Sequence, residues 1–310
     1  MRKVAITTTS CGKYDNEPLN LLRRNGFEII LNPYGRKLKK DEILSLCTDV
    51  VGTIAGTELL NAEILEKLPN LKVISRCGTG MDNVDVSAAE RLGIKVFNTP
   101  DAPTLAVAEL TVGLILNLLR KVNIMDVAIR NGKWEKLMGN LLSEKKVGII
   151  GFGRIGRKVT ELLKPFGCEI AYYDIKQGFR DLVIEGLGDK DCERIELKEL
   201  LRTSDIVSIH VSSKERIIGK DEFNKMKKGA WLVNVSRGGV VDEDALYKAL
   251  KENHLSGTAL DVFEQEPYNG QLKELDNVIL TPHIGSYAKE ARIKMELQAS
   301  ENLLKGLGVM

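Results

Sequence analysis

The chain has 310 residues and a mass of 34.4 kDa, which is enough for two domains of ordinary size. Its 45 basic and 43 acidic side chains are interspersed and leave a net charge of only +2, which argues against a nucleic-acid-binding surface. The five cysteines form no C-x-x-C pair, and none has a histidine at ligand spacing, so no metal site is predicted and reduced thiols are expected.

The first part of the chain alternates short β-rich runs with amphipathic segments, which is typical of parallel strands joined by crossover helices. Its N-terminus enters the first strand directly, without the apolar core and cleavage site of a signal peptide. The predicted strands are KVAITTT, FEIILN, VVGTIA, LKVISRC and KVFN, and the predicted helices between them are NEPLNLLRRNG, DEILSLC, NAEILEKLP and SAAERLG. Gly26 and Gly93 lie where these helices should end. This part predicts a complete α/β sheet.

A breaker cluster, NTPDAP at residues 98–103, then marks a domain crossing. It leads into TLAVAELTVGLILNLLRKV, a helix so apolar around its circumference that it should be buried between domains or against a second subunit. Glu109, Thr111 and Asn117 make it too polar and too short to span a bilayer. We therefore expect a soluble protein of the cytoplasm.

A second strand series follows, interleaved with helical segments such as DEDALYKALKEN. Its strands are predicted in KKVGIIGFGRIG, CEIAYYD, SDIVSIHV, GAWLVNVSRGG, LSGTALDVF and NVILTPHIG. The tail KEARIKMELQASENLLKGL is a closing helix that can return to the first domain. The predicted fold class is α/β, with two Rossmann- or flavodoxin-like domains, each a doubly wound parallel sheet, and a cleft between them.

The segment GFGRIG carries the most specific motif, because Gly151, Gly153 and Gly156 have G-x-G-x-x-G spacing between a strand and a helix. The first glycine permits a tight turn, the second lets backbone N–H groups approach a pyrophosphate, and the third lets helix pack on strand. The helix N-terminus adds a favourable field for phosphates. The motif predicts a dinucleotide site.

Asp174 ends the next predicted strand and is placed to accept hydrogen bonds from both ribose hydroxyls. Its carboxylate would repel a 2′-phosphate, and no arginine follows it in DIKQ, although Lys176 does. NAD is therefore the predicted cofactor rather than NADP.

Four polar residues follow later strands: Arg237, Asp261, Glu266 and His283. Ligands of open parallel sheets bind beyond the carboxyl ends of the strands, so we expect these side chains beside the nicotinamide. Hydride transfer to a 2-keto acid needs a proton donor, which His283 can supply, and a cation for the carboxylate, which Arg237 can supply. Glu266 beside the imidazole would raise its pKa and fix its tautomer.

Each of these residues alone has a commoner structural explanation, such as a hydrogen-bonded histidine at a strand end or a paired surface charge. His210 also follows a strand and can line the cofactor pocket, whereas His254 resembles a helix-end residue. In the loop RCGTGMDNVD, Gly78 and Gly80 can expose consecutive N–H groups as an anion nest.

The ordered motifs RCGTGMDNVD, NTPDAPTLAVAEL, GFGRIG, NVSRGGVVDEDAL, ALDVFEQEP and TPHIGS together resemble the D-isomer-specific 2-hydroxyacid dehydrogenases, and among them most closely phosphoglycerate dehydrogenase. The resemblance implies that His283 is the acid/base, Glu266 its partner and Arg237 the carboxylate and carbonyl anchor. It implies a cofactor site made of Gly151, Gly153, Arg154, Ile155, Gly156, Asp174, His210, Asn234, Val235, Ser236, Asp261 and Gly285. It implies a substrate site made of Arg76, Gly78, Thr79, Gly80, Arg237 and His283.

The resemblance also implies a split substrate domain, residues 1–98 plus 288–310, and an NAD-binding Rossmann domain, residues 99–287. Cleft closure and a homodimer built on the helix region 104–121 are implied as well. Two departures concern the substrate. Ala55 in GTIAGTE stands where phosphoglycerate dehydrogenases commonly have a phosphate-binding arginine, leaving Arg76 as a candidate, and the chain ends at Met310, so serine feedback through a regulatory domain is not expected.

The leading functional hypothesis is an NAD-dependent dehydrogenase that interconverts a D-2-hydroxy acid, such as 3-phosphoglycerate, and its 2-keto acid. Hydroxypyruvate or glyoxylate reduction is an alternative. An NAD-sensing binding protein, like the C-terminal-binding corepressors of the same fold, is a second class, although the chain shows no obvious disordered tail. Oxidation of formate or phosphite on the same scaffold is a third.

Overall fold

The computed structural model describes residues 2–176 and 192–310. In chain order the strands are β1 (Arg2–Ile6), β2 (Phe27–Leu31), β3 (Val50–Ala55), β4 (Val73–Arg76), β5 (Lys95–Asn98), β6 (Lys146–Ile150), β7 (Glu169–Tyr173), β8 (Glu193–Arg194), β9 (Ile206–Ile209), β10 (Ala230–Asn234), β11 (Leu255–Leu260) and β12 (Val278–Leu280). The helices are α1 (Glu17–Arg24), α2 (Lys40–Cys47), α3 (Ala62–Leu65), α4 (Val86–Arg91), α5 (Thr104–Arg120), α6 (Val122–Arg130), α7 (Arg154–Leu163), α8 (Leu197–Thr203), α9 (Lys220–Lys225), α10 (Glu243–Lys251) and α11 (Lys289–Gly306).

The chain separates into two compact units, Met1–Pro103 with Ser286–Met310, and Thr104–Gly285. The first change of unit falls at the start of α5, a few residues beyond the boundary predicted at 98/99. Thr99 explains the difference, because it is fully buried and its hydroxyl accepts a hydrogen bond from the Gly78 N–H at 2.8 Å. This contact keeps the segment before α5 with the first unit.

The first unit is a parallel sheet whose described strands lie in the order β2-β1-β3-β4-β5. Helix α11 packs on β3, β4 and β5 and buries Leu303 and Leu304 completely. Two glycines permit this close approach, since a Cβ at Gly52 would lie 2.7 Å from Leu303 and one at Gly306 would lie 2.8 Å from Val73. The tail therefore returns to the first sheet.

The second unit is a parallel sheet whose described strands lie in the order β12-β11-β10-β9-β6-β7-β8. The winding direction changes at β6, which lies between β9 and β7. In doubly wound sheets this switch point is where ligands bind, beyond the carboxyl ends of the strands. The predicted fold class, two doubly wound α/β sheets of the Rossmann type, is confirmed.

The long apolar helix is shorter than predicted and is followed by a second helix that the sequence did not predict. Helix α5 ends at Arg120 because Lys121 adopts the left-handed conformation, with φ of 54°, and α6 begins at Val122. No helix in the described ranges is both long enough and apolar enough to cross a membrane.

Candidate active site

The glycine turn joins β6 to α7 and combines tight packing with open space. Gly151 has φ of 91°, and a Cβ there would lie 2.6 Å from the carbonyl oxygen of His210. A Cβ at Gly156 would lie 2.2 Å from the carbonyl oxygen of Gly151, so helix and strand are in contact. A Cβ at Gly153 would meet no described atom within 4 Å. The space before the α7 N-terminus therefore fits a pyrophosphate approaching the backbone amides.

Asp174 directly follows β7 and faces the glycine turn. Its two carboxylate oxygens accept one backbone N–H each, from Phe152 at 2.7 Å and from Lys176 at 2.8 Å. A carboxylate has about four acceptor positions, so it can still accept from ribose hydroxyls. Arg194 lies beside it, with Nη2 donating to the carbonyl oxygen of Asp174 at 3.1 Å. The sequence reasoning did not predict this arginine.

His210 follows β9 at the switch point and is buried, with only 8% of its surface exposed. Its Nε2 lies 2.8 Å from the hydroxyl of Ser208, while its buried Nδ1 has no hydrogen-bond partner among the described residues. Burial lowers its pKa to about 3, so the ring is neutral. The neutral ring lies beside the Gly151 turn with Nδ1 unsatisfied. It therefore fits a pocket in which a polar group of a bound ligand forms a hydrogen bond with that nitrogen.

The turn after β10 is held by its own side chains. The amide oxygen of Asn234 accepts from the N–H and the hydroxyl of Ser236, at 3.0 and 2.7 Å, and its Nδ2 donates to the carbonyl oxygen of Arg237 at 3.0 Å. Val235 is buried between them. Gly238 is required next, because a Cβ there would lie 1.7 Å from the carbonyl oxygen of Phe263. Asn234 therefore sets the backbone that carries Arg237.

Asp261 follows β11 and organises the turn that carries His283. Its Oδ1 accepts from the Thr281 hydroxyl at 2.6 Å and the Ile284 N–H at 2.8 Å, and its Oδ2 accepts from the Gly285 N–H at 2.8 Å. Only 1% of its surface is exposed, and burial raises its pKa against the opposing effect of these hydrogen bonds. Most of the acceptor positions of its carboxylate are therefore used by hydrogen bonds within this protein.

His283 lies in this turn, not at a strand end, because β12 stops at Leu280 and His283 has φ of 54°. Its Nδ1 lies 2.9 Å from Oε2 and 3.2 Å from Oε1 of Glu266, whose Oε1 also accepts from the Phe263 N–H at 3.2 Å. The hydrogen bond to Glu266 raises the pKa of His283, while burial and the positive charge of Arg237 lower it. Nδ1 faces the carboxylate, so Nε2 is the nitrogen available to a substrate.

A raised-pKa imidazole, a carboxylate partner and a guanidinium thus lie within one unit, on the turns that follow β10, β11 and β12. This group can hold a proton at Nε2 beside a fixed positive charge. No cluster of three or more His, Cys, Asp or Glu side chains that could hold a metal ion occurs among the described residues.

The predicted substrate residues of the first unit lie after β4. Arg76 donates through Nε to the side chain of Asn83 at 3.3 Å and through Nη1 to the carbonyl oxygen of Cys77. The Gly78 N–H donates to Thr99, so it cannot serve the predicted anion nest. Thr79 is exposed and Gly80 half-buried, which leaves these two as the candidate amide donors.

Comparison with known proteins identifies the family. Residues 112–285, more than half of the chain, match the model of the "D-isomer specific 2-hydroxyacid dehydrogenase, NAD binding domain". The chain belongs to the D-isomer-specific 2-hydroxyacid dehydrogenases. This confirms the resemblance seen in the motifs, and it shows that the cofactor is NAD and that the protein is an oxidoreductase acting on the CH–OH group of small 2-hydroxy acids.

Several dehydrogenases of this family are similar along most of the chain. Glyoxylate reductase of Thermofilum pendens is 44% identical over 86% of this chain and 78% of its own. Hydroxypyruvate reductase of Thermotoga maritima is 39% identical over 88% and 90%. D-3-phosphoglycerate dehydrogenase of Archaeoglobus fulgidus is 36% identical over 94% of this chain but only 56% of its own. Among solved structures, D-lactate dehydrogenase of Aquifex aeolicus with NAD and lactic acid has a TM-score of 0.82 at 26% identity, covering 99% and 95%.

Proposed function

We propose that this dehydrogenase reduces a short, unphosphorylated 2-keto acid, glyoxylate or hydroxypyruvate, to the D-2-hydroxy acid. The observation that carries the catalytic part is the 2.9 Å pair of His283 and Glu266, which lies in the same unit as the glycine turn. Bound NADH supplies the hydride to the keto carbon.

His283 donates the proton that the carbonyl oxygen acquires as the carbonyl becomes an alcohol. Arg237 binds the substrate carboxylate and polarises the carbonyl, because a guanidinium can donate two parallel hydrogen bonds. Glu266 favours the protonated form of His283 and fixes Nδ1 as the nitrogen that faces away from the substrate. Asp261 positions His283 by binding the turn on both sides of it. In the oxidative direction, neutral His283 accepts the same proton.

The substrate class rests on the first unit and on the relatives. Ala55 ends β3 with a fully buried side chain, so this position offers no charge to a phosphate. The guanidinium of Arg76 is held by hydrogen bonds to its own loop. The Thermofilum glyoxylate reductase, at 44% identity, is also more identical to this chain than the phosphoglycerate dehydrogenases of Archaeoglobus fulgidus and Methanocaldococcus jannaschii, at 36% and 40%. We therefore place an unphosphorylated acid first.

A second candidate is the pair 3-phosphoglycerate and 3-phosphohydroxypyruvate. The similarity to the Archaeoglobus phosphoglycerate dehydrogenase extends over 94% of this chain, further than that to the two reductases. Arg76 would then bind the phosphate after giving up its bond to Asn83.

One panel of substrates separates these alternatives. NADH absorbance is followed with glyoxylate, hydroxypyruvate, pyruvate and phosphohydroxypyruvate, and with formate and phosphite in the oxidative direction. The proposal expects the first two to have the highest kcat/KM. Preference for phosphohydroxypyruvate would establish the second candidate. Turnover of formate or phosphite would establish a dehydrogenase of these small anions that uses NAD. Tight NADH binding without turnover of any substrate would indicate an NAD-sensing protein.

We also propose a homodimer, formed through the helix region 104–121 together with α6. Eight of the 17 residues of α5 are buried within its own unit. Apolar side chains remain exposed at its start, on α6 and in the segment after it. These are Leu105, Val122, Val127, Ile129, Trp134, Met138 and Leu141. Several large apolar side chains exposed on neighbouring elements are typical of an interface. Light scattering should give twice the chain mass, and Trp134→Glu should lower the measured mass towards that of one chain.

We also propose a cytoplasmic location, because the five free cysteines would stay reduced there.

A further inference from the structure

Arg194 brings a positive charge to the adenosine end of the cofactor site. It lies on β8, the last of the described strands in the sheet order, and pairs in parallel register with Tyr172 of β7. Paired residues point to the same face of a sheet. Tyr172 stacks on Phe152 with ring centroids 3.7 Å apart, and the Phe152 N–H donates to Asp174. Arg194 therefore extends along the face that carries Asp174.

The guanidinium is oriented but only partly engaged. Its Nη2 donates to the carbonyl oxygen of Asp174 at 3.1 Å. Its Nη1 lies 3.9 Å from Glu196, whose side chain is 79% exposed, which is too long for a hydrogen bond. Its buried Nε has no hydrogen-bond partner in residues 2–176 and 192–310. An oriented guanidinium loses little freedom on binding an anion.

The chemical group that reaches this position is the 2′ substituent of the adenosine ribose, since a carboxylate after the second Rossmann strand binds the ribose hydroxyls. In NAD the substituent is a hydroxyl, which can donate a hydrogen bond to the Asp174 carboxylate. In NADP it is a phosphate, which Asp174 repels and an adjacent arginine attracts.

We propose that Arg194 binds the 2′-phosphate of NADP(H), so that the protein uses NADPH as well as NADH. Asp174 then favours the binding of NADH, and Arg194 favours the binding of NADPH. Arg194 is the specificity-determining residue, and the sheet pairing of β8 with β7 brings it to Asp174.

Binding of cofactor fragments tests this without any substrate, so the result is independent of the proposed keto acid. Calorimetry is done with adenosine 2′,5′-bisphosphate and with 5′-AMP, which differ only in the 2′-phosphate. The preference is the ratio of the two dissociation constants. Arg194→Gln should weaken the bisphosphate by about 10- to 100-fold more than 5′-AMP, because a hydrogen bond to a charged group is lost. Arg194→Lys should keep part of the preference, since it keeps the charge.

Arg202→Gln is the matched control, because Arg202 carries the same charge on α8 in an exposed pair with Glu199 at 2.8 Å, and it should change neither ligand. Asp174→Asn should raise the relative affinity for the bisphosphate. In steady-state assays, the ratio of kcat/KM for NADPH to that for NADH should fall in Arg194→Gln by the same factor as the binding ratio. The proposal would be overturned if Arg194→Gln lowered the affinity for both ligands by the same factor. It would also be overturned if the wild type bound the bisphosphate more weakly than 5′-AMP.

Discussion

Replacing Glu266 by Gln tests the proposed acid/base pair directly. The substitution removes the negative charge 2.9 Å from Nδ1 of His283 but keeps a side chain of nearly the same size. Since Glu266 is the main cause of the raised His283 pKa, that pKa should fall towards its ordinary value of 6.5. Reduction needs protonated His283, so the alkaline limb of its pH profile should move to lower pH.

The size of the shift follows from the exposure of the pair. A pair of unit charges 4 Å apart is worth about 1 kcal/mol in water and about 4 kcal/mol at an effective dielectric of 20. The two side chains are 53% and 39% exposed, so solvent screening places the interaction near the water limit. About 1 kcal/mol corresponds to roughly a fivefold loss of activity well above the pKa. The loss should nearly disappear at low pH, apart from a constant factor from the lost orientation of the ring.

The assay is kcat/KM for the best keto acid as a function of pH at saturating NADH. Glu266→Asp keeps the charge and should keep most of the shift. Glu264→Gln is the control, since Glu264 lies in the same loop but pairs with Arg216 at 3.2 Å on the surface. An alkaline limb that stays in place in Glu266→Gln, while the control behaves like the wild type, would refute the coupling between this carboxylate and the catalytic proton.

His283→Ala should lower turnover by about 10²- to 10⁴-fold while NADH fluorescence titrations stay nearly unchanged, and full turnover would exclude His283 as the acid. Gly153→Ala should weaken NADH with little change in stability, because its methyl group would occupy the open cradle, whereas Gly156→Ala should also lower the free energy of unfolding by about 1–3 kcal/mol, because its Cβ meets the Gly151 carbonyl oxygen. Urea denaturation of both variants separates the two effects, and identical stabilities would contradict the packing. Burial holds the pKa of His210 at about 3, below its ordinary 6.5, so its contribution to stability is complete above pH 6.5 and is lost as pH falls. His210→Gln should therefore remove up to about 1.4 kcal/mol per pH unit from the acid-side slope of the unfolding free energy, and an unchanged slope would show that the ring is not buried in its neutral form.

Features set by local patterns were predictable from the sequence. Strand β3 covers the predicted Val50–Ala55, and the glycine spacing at 151–156 predicts the strand, turn and helix that the structure contains. Such features depend on alternation, helical periodicity and turn chemistry, which act over a few residues. The family motifs extended this to the pairing of His283 with Glu266, which are 17 residues apart.

Features set by single backbone angles or by the sheet edge were not predictable. The apolar pattern continues through Lys121, so only its positive φ separates α5 from α6. The same conformation at His283 costs a non-glycine residue about 1–2 kcal/mol and is held by the hydrogen bonds of Asp261. Strand β8 is two residues long, too short for an alternation pattern, and yet its pairing brings Arg194 to Asp174.

The return of α11 to the first sheet affects how the protein is made. During synthesis the strands of the first unit leave the ribosome before the whole second unit, but the helix that packs on β3, β4 and β5 follows only afterwards. A nascent chain that ends near residue 285 would hold a finished nucleotide domain and a half-covered sheet. Chaperones that bind exposed apolar strands should therefore engage the N-terminal part of the nascent chain until α11 has emerged.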